Sequence, residues 1–106
     1  MSEHGQSDGR TTPQWLEGDE RMFGMIKALF IKNSPSQVEQ LKVFLDAGDN
    51  GLAERIAHTV MGSSAMLGAS FMSDEAGKIE RSAIEGDINS ARLHFIRFIE
   101  EYEKIT

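Results

Sequence analysis

The chain has 106 residues, which is the usual length of one domain with a single modest core. Its 17 acidic and 11 basic residues give a net charge of -6 without a cluster of lysine and arginine, so nucleic acid and acidic membrane surfaces are excluded as partners. Because it has no cysteine, no apolar run of roughly 18 residues and no secretory signal, we expect a cytoplasmic protein without disulfides, thiolate metal sites or membrane spans.

The N-terminal part of the chain differs in composition from the rest. Residues 1–13 are mostly Gly, Ser, Thr, Asp and Gln without periodic apolar residues, so we predict a disordered leader. Residues 14–106 are predicted to form one helical bundle. Trp15 and Leu16 are expected to pack over the start of its first long helix in a short extra helix or turn.

Two helical segments are predicted in the first half of the bundle. The first begins after the stretch WLEGDER, with Asp19 as its cap. Its apolar stripe is Met22, Ile26, Leu29 and Phe30. The second begins at SPSQ, where Ser34 is the predicted N-cap, Pro35 the first helical residue and Gln37 the end of a capping box. It ends near Gly48, and its core face is Val38, Leu41, Phe44 and Leu45.

Three further segments follow. One runs from Asp49 or Asn50 to about Gly68, and its predicted core face is Leu52, Ile56, Val60, Ser63 and Leu67. The next covers about 71–85. Asp87 caps the last segment, whose apolar stripe is Ile88, Ala91, Phe95, Phe98, Ile99 and Tyr102. Since the connections are short, neighbouring helices should be antiparallel. The expected fold class is therefore all-α, an antiparallel up-down four-helix bundle with a short extra N-terminal helix or turn.

One histidine in the middle segment points away from the predicted core. At about 100° per residue, His58 lies about 200° from Ile56. Its neighbours on the same surface are Glu54, Arg55, Met61, Gly62 and Ala65, with Ala69 one step further. Gly62 costs about 1 kcal/mol relative to alanine inside a helix. This small, partly apolar surface would let another protein approach the imidazole. The alternative is an incidental surface histidine beside a helix–helix contact.

A carboxylate on the following segment is expected beside this histidine. The turn between the two segments lies near Ala69, and eleven residues in either direction lead to His58 and to Glu80. A carboxylate at that level could accept a hydrogen bond from one imidazole nitrogen and leave the other as an oriented nucleophile. The same counting places Gly77 opposite Met61. The alternative for Glu80 is a solvated surface charge.

The stretch AHTVMGSSAMLGA, followed by KIERSAIEGD, resembles the histidine-containing phosphotransfer (HPt) domain family, whose usual pattern is A-H-T-L-K-G-S-S-A-x-L-G-A. The resemblance covers about Leu16 to Glu103 and implies a four-helix bundle that acts in two-component phosphorelays. It implies that His58 is phosphorylated, that Gly62 clears the docking surface and that Glu80 bonds to the imidazole. One departure is Met61, which stands where the family usually has lysine.

The resemblance and the residues together predict a phosphoryl carrier. We expect His58 to pass a phosphoryl group between receiver domains of a hybrid histidine kinase and of a response regulator. The chain has no nucleotide-binding motif, so we expect no autokinase activity and no bound cofactor, with Mg²⁺ supplied by the receiver. We expect a monomer, and its expected partner surface consists of Glu54, Arg55, Met61, Gly62, Ala65, Gly77, Lys78 and Arg81. Arg55, Lys78 and Arg81 are the cations that could compensate for the missing lysine.

Two alternatives differ from this hypothesis. A non-catalytic adaptor would dock a receiver or a kinase by the same face without carrying phosphate, and only Met61 favours it. A metal site is disfavoured because neither His4 nor His94 has ligand spacing to His58. His94 is predicted to be a surface residue on the polar face of the last segment, beside Arg97 and Glu101.

Overall fold

The computed structural model describes residues 20–106, which form four helices and contain no strand. The helices are α1 (Glu20–Ala47), α2 (Asn50–Leu67), α3 (Ser70–Ile84) and α4 (Ile88–Ile105). Each of α2, α3 and α4 packs on the helix before it, and α1 also contacts α4. The predicted all-α four-helix bundle is therefore confirmed. The leader, the packing of Trp15 and Leu16, and the Asp19 cap lie outside the described residues.

Short turns join the helices and fix where each begins. Asp49 and Asp87 precede α2 and α4, and their carboxylates accept the backbone N–H of Leu52 and of Ser90 at 3.1 Å. These contacts satisfy N–H groups that have no partner in the first turn of a helix. The Asp87 cap predicted from the sequence is confirmed. Within α1–α4, no helix has the length and apolar character needed to cross a membrane.

The helix start predicted at Ser34 is wrong, because α1 continues through Pro35 as one helix of 28 residues. A proline inside a helix costs about 3 kcal/mol. Here the helix keeps one continuous buried face. That face consists of Phe30, Ser34, Val38, Leu41 and Leu45. The Ser34 hydroxyl is buried and lies 2.8 Å from the Tyr102 hydroxyl of α4, so it is engaged in the core and caps nothing. Tertiary packing outweighs the local capping signal.

The core face of α2 is rotated relative to the predicted one. Leu52 is exposed, and Ile56 and Ser63 are only half-buried. The buried residues are Ala53, Ala57, Val60, Ser64 and Leu67. Small side chains occupy the centre because α2 packs against both α1 and α3. A prediction that places the largest apolar residues in the core misses this arrangement.

The stripe predicted for α4 is confirmed, with Phe98 as its centre. Ala91, Phe98 and Tyr102 are buried, while Ile88, Phe95 and Ile99 pack around them. The Phe98 and Tyr102 rings stack with their centroids 5.8 Å apart. Phe30 of α1 meets Tyr102 edge to face at 6.1 Å. This aromatic cluster joins α4 to α1, while α2 and α3 carry His58 and Glu80.

Candidate functional site

His58 lies on the exposed side of α2 because its neighbours Ala57 and Val60 are buried in the core. Its side chain is 67% exposed, and its Nδ1 lies 3.0 Å from Oε2 of Glu80 on α3, which is 20% exposed. The structure thus brings together the histidine and the carboxylate that the sequence placed at the same level of two antiparallel helices.

This contact determines which imidazole nitrogen is free. An ionised carboxylate can only accept hydrogen bonds, so Nδ1 carries the proton and donates to Glu80. In the neutral ring, Nε2 then holds the lone pair. Because Nδ1 faces α3, Nε2 lies on the side of the ring away from α3. The arrangement can present an oriented, unprotonated nitrogen to a reactant that approaches from solvent.

Met61 and Gly77 meet in the seam between α2 and α3. The Sδ of Met61 lies 3.2 Å from the position that a Cβ on Gly77 would occupy. The Ser73 hydroxyl donates to the Met61 carbonyl at 3.1 Å. The two residues are therefore opposite each other, as the sequence predicts, and the Met61 thioether fills the space beside Gly77. Met61 is half-buried and packs against the core instead of standing free beside the imidazole.

The open part of the surface lies on α2 itself. A Cβ added to Gly62 would meet no atom of α1–α4 or their turns within 4 Å, and Ala65 is exposed one turn further along. Met66 is exposed as well and borders a groove of about 240 Å³ between α1 and α2. Leu29 of α1 forms part of the opposite wall and is exposed. A surface with apolar character thus extends from His58 along α2 to the groove beside α1.

Of the charged residues predicted around His58, one is engaged by a carboxylate elsewhere on α3 and the others are not. Glu54 is half-buried, and Arg55 and Arg81 are exposed without an ion pair to any residue of 20–106. Lys78 is different, because its Nζ lies 3.6 Å from Oε2 of Glu75, a carboxylate on the side of α3 that faces α4. The structure therefore does not place Lys78 with His58.

A second histidine–carboxylate pair, which is not predicted from the sequence, joins α3 to α4. His94 Nδ1 lies 2.8 Å from Oε1 of Glu75, and their side chains are only 20% and 3% exposed. The prediction of His94 as a surface residue is therefore wrong. Glu75 shares a helix face with the buried Met72 and Ile79, and a carboxylate in that pattern is the signal that could have revealed a buried partner.

Metal binding finds no support in this part of the molecule. Across residues 20–106, no group of three or more His, Asp or Glu side chains is placed so that it could hold a metal ion. The two histidine–carboxylate pairs lie on opposite sides of α3 and share no ligand.

A family model described as Hpt domain matches residues 25–105, which include all of α2, α3 and α4 and most of α1. Neither the curated proteins nor the solved structures contain a match to the chain. The matched range includes both members of the His58–Glu80 pair.

Proposed function

Because the chain belongs to the Hpt domain family, whose members carry phosphoryl groups on histidine in phosphorelays, we propose that His58 is its phosphorylated residue. In this proposal His58 takes the phosphoryl group from a receiver aspartate of a hybrid histidine kinase. It then passes the group to a receiver aspartate of a response regulator. The observation that carries the proposal is the 3.0 Å contact of Nδ1 with Glu80, which leaves the exposed Nε2 as the nucleophile.

The transfer needs no proton to leave the imidazole. The Nε2 lone pair attacks the phosphorus of the aspartyl phosphate, and the N–P bond forms as the P–O bond to the aspartate breaks. The aspartate departs as a carboxylate with the electron pair of that bond. The ring becomes cationic while Nδ1 keeps its proton, and the Glu80 carboxylate stabilises that charge. The second transfer reverses these steps on another receiver.

The chain supplies the nucleophile, and the receiver supplies most of the rest. In this proposal Mg²⁺ and most of the charge stabilisation in the transition state belong to the receiver. The chain acts as a monomer, binds no cofactor and does not phosphorylate itself. The receiver docks on the open surface of Gly62 and Ala65, beside Arg55 and the exposed side chains of Met66 and Leu29.

The test is phosphorylation by a receiver that has been charged with acetyl phosphate. We expect acid-labile, alkali-stable label on the wild type and none on His58→Gln. That variant should stay folded, because surface substitutions usually change the free energy of unfolding by less than about 0.5 kcal/mol. Circular dichroism checks the fold. Label that persists on the folded variant would refute the assignment of His58.

The role of Glu80 has its own test. Glu80→Gln keeps an oxygen that can accept from Nδ1 but removes the charge that stabilises the cationic ring. A partly exposed pair of this kind is worth about 1 kcal/mol or less, so we expect the transfer rate to fall up to several-fold. Glu85→Gln is the matched control, since Glu85 is an exposed carboxylate just after α3. Equal rates for the two variants would show that Glu80 does not act on the imidazole.

A non-catalytic adaptor is the second candidate, and the position of Met61 favours it. Met61 packs against Gly77 and offers no cation to a phosphoryl group. An adaptor would bind a receiver through the same surface while the wild type stayed unlabelled under conditions that label other phosphotransfer domains. Binding and labelling measured on the same sample therefore separate the two functions.

A further inference from the structure

Phosphorylation would bring negative charge close to two carboxylates. A phosphoryl group on Nε2 adds up to about two negative charges. The Glu80 carboxylate is in contact with the same ring, and Glu54 lies one turn before His58 on α2. The position one turn after His58 holds Met61, which is uncharged. A cation elsewhere on this surface would stabilise the phosphorylated form.

The side of the ring on which the phosphoryl group sits limits the choice of cation. Since Nδ1 faces Glu80 on α3, a group on Nε2 lies away from α3. Lys78 is held 3.6 Å from Glu75 on the α4 side of α3. Arg81 directly follows Glu80 on α3, so it belongs to the helix from which Nε2 points away. Neither residue lies on the side of the ring where the phosphoryl group would be.

Arg55 does lie on that side. Positions three residues before and after His58 are rotated by about 60° in opposite directions around α2. Met61, three residues after His58, is rotated towards α3. Its Sδ lies 3.2 Å from the position that a Cβ on Gly77 of α3 would occupy. Arg55, three residues before, is therefore rotated away from α3. Side chains on a helix lean towards its N-terminus, so the imidazole lies over the turn that contains Arg55.

Arg55 also has the right chemistry and is available. Its side chain is exposed and forms no ion pair with the rest of α1–α4. A guanidinium can donate two parallel hydrogen bonds to phosphoryl oxygens. Residues three apart on a helix are neighbours, so its flexible stem can reach a group attached to His58. We infer that Arg55 binds the phosphoryl oxygens of phosphorylated His58 and so supplies, one turn before it, the cation that is missing at Met61.

This inference rests on the proposed function and concerns the stability of phosphohistidine, which docking does not affect. The equilibrium constant for transfer between a separate receiver and the separate chain depends on the free energies of their phosphorylated and free forms. It does not depend on how tightly the two proteins bind each other. A change in this constant therefore reports contact with the phosphoryl group, whereas a change in rate alone reports docking.

The experiment measures that equilibrium constant with a receiver charged by acetyl phosphate and then freed of excess acetyl phosphate. We expect Arg55→Gln to lower it several-fold at low ionic strength, with a smaller effect in high salt. Arg55→Lys should recover part of the loss. Arg97→Gln is the matched control, because Arg97 is an exposed arginine on α4 without an ion pair to any of residues 20–106.

The possible outcomes distinguish a failure of the Arg55 inference from a failure of the proposed phosphotransfer function. A labelled wild type with the same equilibrium constant for Arg55→Gln overturns this inference and leaves the proposed function standing. A drop for Arg81→Gln instead of Arg55→Gln also overturns it and assigns the contact to α3. If the wild type takes no label at all, the proposed function fails and the inference fails with it.

Discussion

Replacing Met61 by lysine restores the residue that the family pattern has at this position, at a cost that the structure allows us to estimate. Met61 is half-buried with its Sδ 3.2 Å from the Cβ position of Gly77. The methylene stem of a lysine can follow the same path, but its ammonium must leave the seam to reach water. Full burial of a methionine contributes about 1.5–3 kcal/mol. For this half-buried side chain we expect the free energy of unfolding to fall by about 1 kcal/mol or less.

The expected gain is of similar size. The ammonium would emerge beside His58 on the α3 side of the ring, close to the Glu80 carboxylate, and the flexible lysine stem would have to extend along α2 to bring it to the phosphoryl oxygens on Nε2. One solvent-screened contact with the phosphoryl oxygens is worth about 1 kcal/mol, which corresponds to a several-fold rise in the rate or extent of phosphorylation. Competition from Glu80 for the ammonium lowers that gain. The gain from Met61→Lys should also be larger in a chain that carries Arg55→Gln, because the lysine then replaces the cation that Arg55 no longer supplies.

The assay compares the phosphorylated fraction of Met61→Lys and wild type at low and high salt, with thermal unfolding measured in parallel. Leu93→Lys is the control, because Leu93 is exposed on α4 and the substitution adds the same charge far from His58. We expect the rise to be specific to Met61→Lys and to shrink as salt screens the contact. No rise over the control would refute the view that the missing lysine limits this protein. A rise that salt leaves unchanged would refute its electrostatic cause.

Substitutions at three other positions, Gly62, Ser64 and Asp87, also have expected outcomes. Gly62→Gln should keep the helix, since a Cβ added there would meet no atom of the described residues within 4 Å, but it should slow transfer from a receiver by covering His58. Unchanged transfer rates would contradict a docking role. Ser64→Ala should raise the free energy of unfolding by about 1 kcal/mol in denaturant titrations, because the buried Ser64 hydroxyl has no hydrogen-bond partner among residues 20–106. A fall in that free energy would contradict this. Asp87→Ala should lower the thermal midpoint at neutral pH. Hydrogen bonds from Ser90 hold the pKa of Asp87 below its ordinary value of 3.8, so the difference from wild type should vanish as the pH falls through that lowered pKa.

The periodicity and turn signals were enough to predict the fold class, while long-range contacts decided the details. The caps and short connections predict antiparallel helices, as observed. The stretch beginning at Ser34 has every local feature of a helix start, yet Ser34 is paired with Tyr102, which lies 68 residues later in the chain. No local pattern contains that contact. Likewise, Ser64 lies on the buried face of α2, which its polarity does not suggest.

The sequence predicts the level of each site residue along its helix better than the side of the helix on which the residue lies. Counting from the turn at Ala69 gave the level of Glu80 relative to His58. Counting gave no information on which side of α3 each residue occupies, so Lys78 was grouped with His58 although it faces Glu75. The pairing of His94 was missed for the same reason. Its partner is a buried carboxylate on a face otherwise lined by apolar and small side chains.

The two histidine–carboxylate pairs on α3 provide a built-in reference for spectroscopy. Of the chain's three histidines, His58 and His94 each engage a glutamate of α3 through Nδ1, with side chains 67% and 20% exposed. In nitrogen NMR spectra of histidine-labelled protein, modification of Nε2 on His58 should move only that ring's resonances. The His94 resonances should stay fixed for as long as α3 and α4 remain packed. One spectrum can therefore distinguish a chemical event on the α2 surface from a loss of tertiary structure in the same sample.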